Sequence, residues 1–402
     1  MKKNNKKTRI LFLRDTNKLL LILSLIFMFG GAFLILDASS ISSVLYYGND
    51  TPYFFFQRQL FFIFLSLIMS VCIMLYPTKL YDKTSKGLVF ITLILLIIAF
   101  FKKSFFSKGI STATLDLFGG RFQVAEFLKV FLIMYFGAFF GKWVNEKKHN
   151  KYIFFFPLVI AFGASFLIAL GGDLGTSIIM MSLFGLMFII VPCREKAVGI
   201  VKMLLVAGMI AGFIGIKYAY KILPENFLLE HPRFSRLIYI NPCDRYEEDT
   251  GYQVCNGYIA IDNGGLNGVG IGNSVQKYLY LPESHTDFIF PIIVEELGVI
   301  KSLFIILAYL VLIYLIILEA VNSYELQNSI ICYGIASLIL LHIFVNLGGV
   351  FGIIPVTGVP LPFLSYGGSF IIVIVSSVSI VQRIHIENMN ERRNRKLAKE
   401  SR

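Results

Sequence analysis

Charge is what this 402-residue sequence has least of. Asp, Glu, Lys and Arg together make up 15% of it, against about 25% in an ordinary soluble domain. With AVILMFWYC at 56%, that scarcity excludes a soluble globular protein. The long uncharged runs also exclude a membrane β-barrel, whose strands are shorter and alternate. Cysteine is sparse too, five in all, and no cluster of them has the spacing of a metal site. Internal repeats are missing, as is any low-complexity segment beyond the basic tails. A cleavable leader is not expected either. The first apolar run is long and ends in Asp37-Ala38-Ser39-Ser40, so it reads as a retained helix.

What is present is a series of apolar runs near the ~20 residues that cross a bilayer as a helix. Ten candidate spans cover residues 19–38, 59–76, 87–101, 124–143, 153–170, 176–192, 200–220, 290–318, 329–348 and 367–382. The expected fold is therefore all-α, a polytopic membrane protein with about ten transmembrane helices and one large extracytoplasmic loop. The formal net charge is +12, but the basic residues sit between apolar runs and at the tails, which argues for membrane topology over nucleic acid. Placing both tails inside puts 24 of the 37 Lys and Arg in about 80 inside positions, the positive-inside pattern. The chain then divides into a basic tail (1–18), a ten-span membrane domain (19–382) and a second basic tail (383–402).

The large loop, residues 221–289, is the only long polar stretch, and a loop of that length in a compact bundle is usually functional or disordered. Its aromatic and glycine content argues against disorder. Asn263-Gly264-Gly265-Leu266-Asn267-Gly268-Val269-Gly270-Ile271-Gly272 lacks the GxxxxGK[ST] pattern of a nucleotide loop. A close-packed turn is the better reading. Cys243 and Cys255 both fall in this loop, on the oxidising side. Either they bridge, closing a 13-residue segment worth about 3 kcal/mol in chain entropy, or they stay two thiols.

Several side chains invite chemistry. Asp287 precedes a span with Pro291 in its first turn, so it is either a helix cap or a general base at the membrane surface. Glu283 and His285 crowd it with further proton-handling groups. Glu126 and Lys129 lie inside a span three residues apart, close enough to pair; they are a structural ion pair or part of a substrate or proton path. Asp173, between spans five and six, shapes a turn or does more. Pro355-Val-Thr-Gly-Val-Pro-Leu-Pro-Phe-Leu-Ser-Tyr-Gly-Gly-Ser369 cannot be regular helix, and such backbone at membrane depth survives only in protein or on a cavity.

Two strings carry a resemblance. Tyr280-Leu-Pro-Glu-Ser-His-Thr-Asp-Phe-Ile-Phe290, followed by Glu295-Glu296-Leu297-Gly298, and the 355–369 segment are similar to hallmarks of the SEDS family (shape, elongation, division and sporulation). Asp173-Leu174-Gly175-Thr176, Asn263-Gly264-Gly265 and Gln59 match as well, and the 272–280 stretch resembles the division and sporulation members most. Membership implies ten spans and a glycosyltransferase that polymerises lipid II at the outer leaflet for septal wall synthesis, with Asp287 as base. It implies substrate contacts by Glu283, His285, Thr286, Asn263, Ser365, Gly367 and Gly368, and intramembrane support from Glu126, Lys129 and Asp173. Arg233, Arg236 and Lys277 are candidates for the pyrophosphate, on charge and placement. No metal ligands are assigned and the cofactor is left open, although a divalent cation such as Mg or Mn could assist. The implied partners are lipid II, a class B penicillin-binding protein, other divisome proteins and the membrane, at the division septum of a bacterial cell. A lipid II flippase and a non-catalytic division scaffold are the alternatives. One departure stands out: the family's tryptophan-bearing element before span four is replaced by Lys108-Gly-Ile-Ser-Thr-Ala-Thr-Leu-Asp116, and the lone tryptophan is Trp143.

Overall fold

The computed structural model describes residues 15–48, 50–106, 114–117, 120–144, 153–192, 195–222, 241–247 and 249–401. Arg233 and Arg236 lie outside these residues, as does Cys193. The helices are Lys18–Leu45 (α1), Phe54–Leu75 (α2), Tyr81–Phe106 (α3), Val124–Trp143 (α4), Phe156–Leu170 (α5) and Leu174–Ile190 (α6). They continue with Lys196–Ile222 (α7), Asp249–Gly264 (α8), Ile289–Leu297 (α9), Val299–Val321 (α10), Leu326–Val350 (α11) and Gly368–Glu400 (α12). A short antiparallel hairpin, Thr114–Leu117 (β1) with Gly120–Gln123 (β2), leads into α4 with Thr114 opposite Gln123. Among the described residues nine helical segments are long and apolar enough to cross a membrane, and the 17-residue α6 is a further apolar helix. The expected all-α membrane bundle is the fold observed.

The helices differ in what surrounds them. In α4 and α12, 83% of the most apolar stretch is buried by protein, whereas in α7 the figure is 6%. The first two form the centre with α11; α7 stands at the periphery, its apolar side chains left for lipid. Asn17 caps α1 through its side chain, which accepts from the Leu20 N–H at 3.1 Å. The same residue joins the chain ends: its main chain exchanges hydrogen bonds of 2.9 Å with Gln382, and Asp15 takes a two-bond contact of 3.0 Å from Arg393. One end of the bundle thus carries the start of α1 and the end of α12, and the other, the distal end, carries residues 265–288 and 351–367.

Two expectations change here. The span predicted at 290–318 is two helices, α9 and α10, broken at Gly298 (φ +83°). A Cβ on Gly298 would lie 2.4 Å from the Asn267 carbonyl carbon and the Leu266 oxygen, and one on Gly268 would lie 2.2 Å from the Glu296 oxygen. Only glycine permits that crossing. The main chain then pairs across it: Val269 and Gly270 donate to the Glu295 and Glu296 carbonyls (2.9 and 3.0 Å), and Val299 to Gly265 (2.9 Å). The glycine-rich stretch is a close-packed turn. Secondly, the large loop contains α8, which packs on α9, and the Cys243–Cys255 bridge ties the turn Pro242–Arg245 to it, with Cα atoms 5.0 Å apart. The two thiols are bonded.

Candidate active site at the distal end

The glutamates of α9 organise the loop before it. Glu295 accepts from the Val275 and Gln276 N–H groups (3.2 and 3.3 Å), from the Asn263 amide at 3.2 Å, and from the Ser274 hydroxyl. Glu296 accepts from the Ser274 N–H at 3.3 Å and from the Lys277 ammonium at 2.7 Å. Lys277 also reaches Asp37 of α1 at 2.8 Å and is only 4% exposed. Burial alone would push this ammonium down, but its bonds to Asp37 and Glu296 outweigh that and hold it above the ordinary lysine value. The ammonium expected to contact pyrophosphate is thus placed between two carboxylates. Asn263, expected to touch substrate, is likewise engaged with Glu295.

The chain then enters the 280–288 segment. Glu283 sits at φ +53°, a conformation rare for a side chain with a Cβ. The Thr286 hydroxyl lies between two carboxylates, 2.7 Å from Glu283 Oε2 and 3.1 Å from Asp287 Oδ1, and it has one proton to give. Tyr47, in the turn just after α1, donates to Glu283 at 3.4 Å. His285 is buried among the rings of Phe55 (4.4 Å between centroids), Tyr47 and Tyr366 (5.7 Å each), and its Nδ1 has no hydrogen-bond partner among the described residues. Burial pushes its pKa down to about 4, against the opposing pull of Glu283, so it is neutral near pH 7.

Asp287 does not occupy the cap position of α9; Phe288 does, with no side-chain bond. The aspartate is half-buried and lines a cavity of about 10 Å³ with Asn346 and Gly349 of α11 and with Val356, Thr357 and Gly358. The irregular 355–369 segment forms the opposite wall and is held along its length. Its Val359 carbonyl accepts from Asn346 at 2.8 Å, its Pro362 carbonyl from Tyr309, and Tyr366 donates to the His285 carbonyl at 2.8 Å. Ser365 closes a turn inside the segment by accepting from the Leu361 N–H at 2.8 Å. Gly367 donates to Gln59 at 3.4 Å, and at Gly368 a Cβ would lie 2.4 Å from the Phe62 ring. Ser365, Gly367 and Gly368 therefore set the segment's shape.

Deeper in the bundle, Lys129 lies 2.8 Å from Glu126, the pair expected from spacing, and 3.0 Å from His342 Nε2 on α11. His342 Nδ1 sits 2.8 Å from the Leu338 carbonyl, which can only accept, so Nδ1 carries the proton and Nε2 accepts from the lysine. Asp173 caps α6 by accepting from the Thr176 N–H and hydroxyl, both at 3.0 Å. Among the described residues no group of three His, Cys, Asp or Glu is arranged to hold a metal ion.

A family model described as cell cycle protein, covering FtsW, RodA and SpoVE, matches residues 17–390. The chain belongs to this family. It is similar to the probable peptidoglycan glycosyltransferase FtsW of Bacillus subtilis (strain 168), 32% identical over 367 residues, 90% of this chain and 89% of the relative. It is equally similar to stage V sporulation protein E of the same organism, 32% over 376 residues, 91% and 96% of the two chains. The FtsW/RodA/SpoVE fold is matched among solved structures by a chain of a peptidoglycan synthase complex (TM-score 0.67, 19% identity, 93% of this chain and 98% of that one). It is matched also by the rod shape determining protein RodA of Thermus thermophilus (TM-score 0.58, 19% identity, 89% and 96%).

Of the residues expected at the site, Glu283, His285, Thr286 and Asp287 form one cluster, with Ser365, Gly367 and Gly368 in the wall beside it. Arg233 and Arg236 fall outside the described residues. Sequence reading of this FtsW/RodA/SpoVE chain missed Asn346, His342, Asp37 and Tyr47. Asp37 was named only as the end of the first apolar run. His342 carried the clearest signal, as the one histidine inside an apolar span.

Proposed function

We propose that this chain is a peptidoglycan glycosyltransferase that polymerises lipid II at the outer leaflet for septal wall synthesis, with Asp287 as general base. The observation that carries the reading is the placement of Asp287: a half-buried carboxylate lining a cavity at the end of the bundle opposite the start of α1 and the end of α12. The basic residues between spans favour termini in the cytoplasm, which makes the distal end extracytoplasmic. The names of the relatives support the activity. The likeness to a chain of a peptidoglycan synthase complex supports a transpeptidase partner of the class B penicillin-binding type.

In this reading the Asp287 carboxylate takes the proton from the acceptor sugar hydroxyl, whose oxygen forms the new bond to the anomeric carbon of the donor. The carbon–oxygen bond to pyrophosphate breaks, undecaprenyl pyrophosphate leaves with the electron pair, and the proton passes from Asp287 to water. Neutral His285 holds the Tyr366 segment through its carbonyl. The test is purified protein in proteoliposomes with lipid II, with and without its transpeptidase, scored for glycan and for lipid II movement. Glycan made by the wild type supports the reading, and lipid II transport with no glycan under either condition overturns it.

A further inference from the structure

Asn346 lies one helical turn beyond His342 on α11 and is 5% exposed. Its side-chain nitrogen is 2.8 Å from the Asp287 carbonyl oxygen and 2.8 Å from the Val359 carbonyl oxygen. A carboxamide has two N–H donors, and here both are used, one on each wall of the cavity. The orientation of the amide is fixed by its surroundings, because a flip would set its oxygen against two carbonyl oxygens. One side chain therefore ties the main chain of the Asp287 segment to the 355–369 segment, across the cavity that both line. Four residues earlier on the same face, His342 is fixed from below by Lys129. The amide that reaches Asp287 thus projects from a turn of α11 that is itself anchored.

We propose that Asn346 is the positioning residue of the reacting carboxylate, a two-bond clamp that sets the distance between Asp287 and the opposite wall. The proposal rests on the reading of Asp287 as base and goes beyond it, naming what holds that base at working distance. The residue four positions on is Pro291, which has no N–H to offer the Asp287 carbonyl. The Asn346 carboxamide supplies a bond there and a second one to Val359, whereas in Asn346→Asp an ionised carboxylate has no proton to give and a protonated one has a single proton for two carbonyls. Misplacement of a reacting group by about 1 Å costs on the order of a hundredfold in rate. Substrate binding, which draws on the whole site, is spared.

The experiment measures single-turnover glycosyl transfer and lipid II binding on the same proteoliposomes, for wild type, Asn346→Leu, Asn346→Asp, Asn346→Gln and Asp287→Asn. Asn346→Leu keeps the volume and loses both donors; its rate is expected to fall about a hundredfold per binding-competent molecule, with Kd within about twofold of wild type. Asn346→Gln keeps the carboxamide on a longer stem and is expected to recover part of that rate, while Asn346→Asp does not. A rate for Asn346→Leu within threefold of wild type overturns the clamp, as does loss of binding in proportion to loss of rate. If Asn346→Leu fails to insert, equal rates for the Gln and Asp variants overturn it, and a higher rate for Gln supports it. Near wild-type transfer by Asp287→Asn removes the base assignment itself, and the clamp with it.

Discussion

Carboxylates at and below the distal end of this bundle are used in opposite ways. Asp37, Glu126 and Glu296 each lie within 2.8 Å of a buried lysine ammonium. Those clusters close on themselves, and their charge is spent holding α1, α4, α9 and α11 in register. Asp287 lines a cavity, and with Glu283 it shares the single proton of the Thr286 hydroxyl. The difference teaches where to look for chemistry in a membrane protein. A buried carboxylate closed on a lysine ammonium holds the fold, whereas one that lines a cavity is the candidate for chemistry.

Breaking a closed cluster gives the largest expected loss of stability. Lys277→Met leaves Asp37 and Glu296 without their cation, and removing one partner of a buried pair costs about 3–5 kcal/mol. Denaturant or thermal unfolding in detergent reads this directly, with transfer per folded molecule little changed. A Lys277→Met protein as stable as wild type but weak in lipid II binding would favour the pyrophosphate contact and blur the comparison.

His285 gives the next effect, through pH. Its folded pKa of about 4 lies below the ordinary 6.5, so the unfolded chain binds the proton more readily. Stability from this group is complete above about pH 6.5 and is lost as pH falls toward 4, by about 3 kcal/mol across the window. Unfolding free energies measured from pH 7 to pH 4 should show that slope, and His285→Phe should flatten it. An unchanged slope in the variant would place the titrating group elsewhere.

Smallest is the coupling inside the deeper cluster. Glu126→Gln and Lys129→Met should each cost more than the double substitution, which falls short of the sum of the two by about 0.5–3 kcal/mol. Strict additivity would mean that the 2.8 Å contact does not bind the two charges of α4 into one unit.

The sequence carried the spans and the Glu126–Lys129 pair because both are local: hydropathy runs along a helix, and a spacing of three residues fixes a shared face. The pairing of Cys243 with Cys255 stayed open until the fold brought their Cα atoms within reach. What escaped was set by distant contacts. Lys277 meets Asp37 across 240 positions, so its basic charge in a polar loop looked available. The break at Gly298 was hidden because both halves, α9 and α10, are apolar and read as one run. α8 went unseen inside the loop because Asp249–Gly264 mixes Asp, Asn, Gln and Gly with its apolar residues. Asn346 gave no signal, since a single amide in an apolar helix is legible only once its two carbonyl partners are in place.

The central claim is that Asp287 serves chemistry while the lysine-bound carboxylates serve the fold. The direct measurement sets Asp287→Asn beside Glu296→Gln, recording unfolding temperature and glycan from lipid II on one preparation of each. Asp287→Asn is predicted to unfold with the wild type and to lose transfer by about 10²–10⁴-fold, the range for a missing general base, while Glu296→Gln loses stability first. An Asp287→Asn protein that polymerises at the wild-type rate, or that falls apart as Glu296→Gln does, would contradict the account.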